Sequence, residues 1–395
     1  MKKRTFLIGG LLCLLVLSFL AGCGQPQTEQ SETSSETQSE TQSVEQSARE
    51  VSVPASSEPS EETSEVIMLP PDESSEESFA DESTDIGIEQ SAEQSTAESS
   101  AETTTEESVP ETPSEEPDAY RTATVTYDAP SIEETYTRLP ALKQLAYSVY
   151  DADNERGLDT QKRDFGFGVA TGGKAHATSV DNQKRFDGYG TNALAWDNKT
   201  EEKVIYLTFD CGYKYEDLIE RILATLKEKD VPAAFFCTLQ YIKTAPDDIV
   251  AMIGDGHIVG NHSTTHPSNS AALSREELAK ELLGVENYLR EQFGYTSKYF
   301  RFPGGVHSQN AIDLVDSVGY RSVFWSLAHT DWDPENQPGV EKSFETVTSR
   351  LHTGAVILLH STSPDNAAIL ADFIDYARAQ GYTFRSLDEY EYWQE

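Results

Sequence analysis

His262-Ser-Thr-Thr-His266 places two imidazoles four residues apart, a spacing at which both can share a face and bind one metal ion, though surface helices show it too. Asp210-Cys211 offers a carboxylate and a thiol at a second place in the chain. His360 closes the apolar run Val356-Ile-Leu-Leu359 and reads in two ways. It is a hydrogen-bonded structural histidine, or, with Asp331 fixing its tautomer and raising its pKa, a general acid. Arg301 is either a solvated strand-end charge or the cation that orients a carboxylate in an otherwise acidic cluster. Together these types point to acid–base chemistry beside a metal ion.

The elements between these residues decide whether they meet. Short apolar runs rich in β-branched and aromatic residues predict strands over 204–209, 233–237, 257–260, 298–301, 321–325, 355–359 and 382–385. Helical spacing of apolar residues predicts helices over 216–229, 246–253, 309–317, 343–352 and 366–379. Ser274-Arg-Glu-Glu277 reads as a capping box that opens a further helix to about Phe293. About seven strands alternating with helices argue for one α/β domain with a parallel sheet, open or closed into a barrel. Asp210 and Cys211 follow the first strand, and His262 and His266 follow the third. Arg301 ends the fourth, Asp331 follows the fifth and His360 ends the sixth. All therefore fall at C-terminal strand ends, the face where barrel loops build active sites.

Five stretches in order carry a resemblance: Thr208-Phe-Asp-Cys-Gly212, His262-Ser-Thr-Thr-His266, Arg301-Phe-Pro-Gly-Gly305, Asp331-Trp332 and Ile357-Leu-Leu-His360. Over residues 203–395 the chain resembles the polysaccharide deacetylases, the NodB-homology family or carbohydrate esterase family 4. The resemblance implies a distorted (β/α) barrel of about seven parallel strands that removes acetyl groups from a sugar polymer with a divalent metal such as zinc, manganese or cobalt. It implies Asp210 as general base, His262 and His266 as metal ligands, and His360 as general acid. Arg301 would orient the base, Asp331 would tune His360, and Trp332 and Leu358 would wall the acetyl pocket.

One departure from the family pattern stands at Cys211, where a metal-binding Asp is usual. Three readings stay open: a thiolate ligand to a soft metal, a placeholder that leaves the metal weakly held, or a disulfide with Cys237 at the end of the next strand. The departure also points to a subgroup. Tyr206-Leu-Thr-Phe-Asp-Cys-Gly-Tyr213, Gly256-His-Ile-Val-Gly-Asn-His-Ser263 and Gly381-Tyr-Thr-Phe384 are similar to the delta-lactam-biosynthetic de-N-acetylases. That likeness implies action on N-acetylmuramic acid in peptidoglycan, the freed amine then closing to muramic δ-lactam. Deacetylation of N-acetylglucosamine in wall or extracellular polysaccharide, and glycan binding without catalysis by a lipoprotein, are the alternative expectations.

Charge separates the rest of the chain. The formal net charge is −38, yet residues 24–120 hold 27 acidic side chains against the single base Arg49. Such a segment of Ser, Glu, Thr, Gln and Pro, with Phe79 as the only aromatic up to Asp118, cannot offset the entropy of folding and reads as a disordered stalk. No basic groove is available for nucleic acid. Residues 121–202 show no clean periodicity and read as an irregular lead-in packed on the domain that starts at 203. Residues 1–23 combine a basic start, an apolar run and Leu20-Ala21-Gly22-Cys23. This resembles a bacterial lipobox, which implies lipidation of Cys23 and a mature protein tethered to the outer face of the cytoplasmic membrane; an uncleaved anchor helix is the other reading. A monomer is a separate expectation, which the lipobox does not imply.

Overall fold

The computed structural model describes residues 120–127 and 135–394. The leader, the lipidation site Cys23 and the stalk up to 119 lie outside the described residues. The chain runs through β1 (Ala123–Val125), β2 (Tyr147–Val149), α1 (Ala177–Tyr189) and β3 (Ala193–Leu194). It continues through β4 (Val204–Cys211), α2 (Leu218–Lys229), β5 (Ala234–Cys237), α3 (Leu239–Thr244), α4 (Pro246–Gly254) and β6 (Ile258–Asn261). Next come α5 (Arg275–Phe293), β7 (Tyr299–Phe300), α6 (Gln309–Ser317) and β8 (Arg321–Val323). The last elements are α7 (Val340–Ser349), β9 (Ala355–His360), α8 (Pro364–Ala379) and β10 (Thr383–Phe384).

β4 is the spine of the sheet. It pairs with β9 over residues 205–210, with β5 over 208–211 and with β10 over 204–205. Beyond β5 the order runs β6, β7, β8, β3, and every pairing in this sheet is parallel. Just past β8 the chain turns back onto β9: the N–H groups of Ser326 and Leu327 donate to Val356 O, and Leu358 N–H donates to Leu327 O. The sheet is thereby curled into the distorted α/β barrel form, with α helices packed outside it.

Strand alternation sets what lies inside. Ile205, Leu207, Phe209 and Cys211 pack under the helices with Phe235, Leu226 and Ile222. Val204 and Tyr206 point inward with Phe236, Tyr299, Val323 and Val356. Along that inner row the residues change from Val204 and Tyr206 to Thr208 and Asp210, so the barrel becomes polar towards its C-terminal rim.

Several expectations need correction. The lead-in is not irregular: it holds α1, and β3 pairs with β8 through Ala193↔Ser322 and Leu194↔Val323, so the sheet extends across the expected boundary at 203. The periodicity was hidden because α1 buries Ser179, Asn182 and Gln183 with only Phe186 as an apolar partner. These side chains serve backbone: Gln183 Nε2 donates to Ala193 O at 3.1 Å, and its Oε1 accepts from Ala195 and Trp196 N–H. α3, for which no helix was expected, is capped by the Thr238 hydroxyl. β7 and β8 are shorter than expected, which leaves Arg301 one residue past its strand. The capping box at Ser274 and Glu277 is present as read.

Candidate active site

β4 carries Asp210 to the polar rim and β9 carries His360 there, and the two are Cα partners across the parallel pair. Register alone thus sets a carboxylate beside an imidazole. Asp210 Oδ1 accepts from Arg301 Nη1 at 2.7 Å, and its Oδ2 lies 3.5 Å from His262 Nε2. Arg301 has no solvent exposure. Its other donors reach Val323 O, Thr208 Oγ1 and Phe324 O, and its guanidinium lies 4.1 Å from the centre of the Phe236 ring. Each donor group is thus directed, and the planar fork fits a carboxylate that must not rotate. Burial pushes the Asp210 carboxyl up, but the charges of Arg301, His262 and His360 outweigh it and hold the group below the usual carboxylate range.

The second pair has the opposite tuning. His360 Nδ1 lies 2.8 Å from Asp331 Oδ1, and the His360 backbone N–H donates to Asp331 Oδ2 at 2.9 Å. A carboxylate only accepts, so Nδ1 carries a proton and Nε2 is the atom left for chemistry. Burial alone would lower the His360 pKa; the Asp331 charge and hydrogen bond, with the charge of Asp210, raise it above the usual histidine range. The His360 side chain keeps 27% exposure, so a reacting group can reach it. Asp331 is buried, and His360 outweighs the burial to hold it ionised.

The two spaced histidines meet differently from the helical arrangement their spacing suggests. They sit in the loop after β6, where Ser263 and His266 both take positive φ, 71° and 55°. Ser263 Oγ accepts the His266 N–H, while Asn261 Oδ1 accepts the Ser263 N–H. The rings end with centroids 4.9 Å apart. His262 Nδ1 donates to Arg301 O at 2.9 Å, which turns an Nε2 lone pair towards Asp210. Burial lowers the His262 pKa to about 4, so its imidazole is neutral at neutral pH. Two neutral imidazoles beside an ionised carboxylate are a donor set that suits a divalent ion.

Cys211 does not join that set. It follows Asp210 in the strand, packs on the helix-facing side with Phe209 and Leu207, and is a free cysteine, as is Cys237. Among the described residues no three His, Cys, Asp or Glu side chains stand in metal-ligand geometry. The two thiols are unbridged, and the Cys211 side chain leaves the strand on the face opposite Asp210. What fits a divalent ion here is the chemistry of the donors, the His262 and His266 imidazoles near the Asp210 carboxylate, with the Cys211 thiol on the other face.

Trp332 is exposed beside Asp331, and Leu358 is buried on the inward row of β9 below His360. Two residues not singled out in the sequence also reach the second pair. Asn366 Nδ2 donates to Asp331 Oδ2 at 2.6 Å, and His329 Nε2 lies 2.9 Å from Asn366 Oδ1. The signal available for Asn366 was its place on the first turn of a predicted helix that follows His360 closely.

Comparison with known proteins agrees with this geometry. Residues 197–323 match the polysaccharide deacetylase family. An uncharacterized 30.6 kDa protein of Geobacillus stearothermophilus is 43% identical over 48% of this chain and 71% of its own length. The peptidoglycan-N-acetylmuramic acid deacetylase PdaA of Bacillus subtilis is 38% identical over 48% of this chain and 72% of its own. The solved structure of PdaA, described as a family 4 carbohydrate esterase, aligns with a TM-score of 0.53 at 34% identity over 58% of this chain and 97% of that one.

Proposed function

The chain belongs to the polysaccharide deacetylase family, and from that premise we propose that it hydrolyses the acetamide of N-acetylmuramic acid in peptidoglycan. Where the peptide stem has been removed, the freed amine then condenses with the lactyl carboxyl, losing one water, to give a δ-lactam. The observation that carries the chemistry is the adjacency of Asp210 and His360 on paired strands with opposite tuning, one held ionised and the other held basic. The 38% identity to a protein named for N-acetylmuramic acid supports the choice of sugar.

Amide hydrolysis adds water across the C–N bond and releases acetate and an amine. Asp210 takes a proton from the water whose oxygen attacks the acetyl carbon, and Arg301 keeps that base ionised and aimed. His360, protonated on Nε2 and held through Nδ1 by Asp331, gives a proton to the sugar nitrogen as the C–N bond breaks. A divalent ion held by His262 and His266 would supply polarisation of the acetyl oxygen and a lowered pKa for bound water. Trp332 and Leu358 would bound the acetyl methyl group.

We further propose that lipidation at Cys23 holds the protein at the outer face of the membrane and that the acidic stalk gives the catalytic domain reach into the wall. The support is the lipobox-like start and the charge of residues 24–120. Among the described residues no helix is long and apolar enough to cross a membrane.

Acetate release by the full mature chain tests the reading. Glycan strands stripped of peptide stems should yield acetate and a δ-lactam product. Release from N-acetylglucosamine oligomers alone would assign the other sugar, and none from any glycan would leave a binding protein.

A further inference from the structure

Asn366 lies in the first turn of α8, yet its side chain makes no bond within that helix. The helix is capped instead by Ser363, whose Oγ accepts the Asn366 N–H at 3.0 Å. The Asn366 amide faces the other way. Its Nδ2 donates to Asp331 Oδ2 at 2.6 Å and to His360 O at 3.2 Å. Both of those atoms only accept, so the amide orientation is determined and Oδ1 must face His329. His329 Nε2, 2.9 Å away, therefore donates, and its buried Nδ1 has no partner among the described residues. The result is a directed chain from His329 through Asn366 and Asp331 to His360.

We propose that Asn366, oriented by His329, is a positioning residue for the general acid. It fills the second acceptor place on Asp331 Oδ2 beside the His360 N–H and leaves Oδ1 to the imidazole. The carboxylate cannot turn, so His360 keeps one tautomer and one ring orientation. A second tie holds the same loop: Ser363 Oγ donates to Gln337 Oε1, and Gln337 Nε2 donates to Asp331 O. The inference rests on His360 acting as the acid, with Asp331, Asp210, Arg301 and His329 as the charged or titratable groups around it.

The test uses the full mature protein with Asn366→Ala, His329→Gln and His329→Phe. Two readouts are taken: kcat and KM on the glycan that releases acetate, and the NMR resonance of the His360 Nδ1 proton without substrate. Asn366→Ala should lower kcat about 10–100-fold with KM within about twofold, as loss of an orienting partner does. The Nδ1 resonance should move upfield or broaden away. His329→Gln keeps an N–H donor and should retain both signatures, whereas His329→Phe should shift both as Asn366→Ala does. Wild-type kcat and an unmoved resonance in Asn366→Ala would overturn the proposal. Should that variant not fold, identical behaviour of the two His329 variants overturns it. The resonance reads positioning even where no glycan yields acetate, so failure of this inference is distinguishable from failure of the assigned reaction.

Discussion

Arg301 Nη1 donates to Asp210 Oδ1 at 2.7 Å from a guanidinium that has no contact with solvent. The same side chain fastens Asp210 to Thr208 Oγ1 and to the backbone of Val323 and Phe324, so it joins β4 to the chain around β8 through the barrel interior. Removing one partner of a buried ion pair costs about 3–5 kcal/mol, because the other charge is left unpaired. Arg301→Leu should therefore lower both stability and kcat/KM, the latter by about 100-fold or more. Arg301→Lys restores charge without the fork and should fall between. Thermal unfolding alongside acetate release measures both; wild-type turnover in Arg301→Leu would remove Arg301 from the orienting role.

The two tuned groups define a pH window. Asp210 must be ionised, so activity falls as pH drops through a pKa held below the usual carboxylate range. His360 must be protonated, so activity falls as pH rises through a pKa held above the usual histidine range. A profile of kcat/KM should be a plateau between these two limbs. In Asp331→Asn, burial acts on His360 without its counter-charge, and the alkaline limb should move to lower pH while the acidic limb stays. An alkaline limb that does not move in this variant would assign it to another group.

Cys211 and Asp210 are adjacent in an extended strand, so their side chains leave it on opposite faces. Cys211→Ala should leave the Kd for a divalent ion unchanged and cost about 1–2 kcal/mol for lost packing in the helix-facing core. His262→Ala removes the directed Nε2 and should weaken the ion by tenfold or more. Titration of chelator-treated protein with zinc, manganese or cobalt checks both. Weaker binding in Cys211→Ala would mean that the thiol reaches the ion.

The strand ends were legible because fully buried strands announce themselves as apolar runs: Val204 to Phe209 and Ala355 to Leu359 stand out, and Asp210 and His360 follow them. What was not legible depends on contacts between distant segments. The expected strand stopped at Phe209, whereas β4 runs to Cys211; extending the alternation by two residues would have set Cys211 on the outer face with Phe209. His262 and His266 were read at helical spacing, but positive φ at Ser263 and His266 brings them together in a loop. Asn366 and His329 act only through the meeting of α8 with the segment before Asp331, which no local pattern records.

Helix α1 shows the same limit most sharply, and it leads to a stability prediction. Its buried face is polar because Gln183 closes three backbone groups of the segment that forms β3: Ala193 O, Ala195 N–H and Trp196 N–H. Gln183 is also held by Asp187, one turn along the helix. Gln183→Leu preserves size and raises apolar character, so a purely hydrophobic account expects a neutral or stabilising change. Hydrogen-bond accounting expects the reverse, since each buried group left unsatisfied costs about 1–3 kcal/mol. The variant should lose several kcal/mol by urea unfolding, and β3 should detach from β8 first, seen as faster hydrogen exchange at Phe324 N–H, whose acceptor is Leu194 O. Because the site residues come from β4, β9 and the loops after β6, β7 and β8, and none from β3, acetate release below the unfolding transition should fall less than stability does.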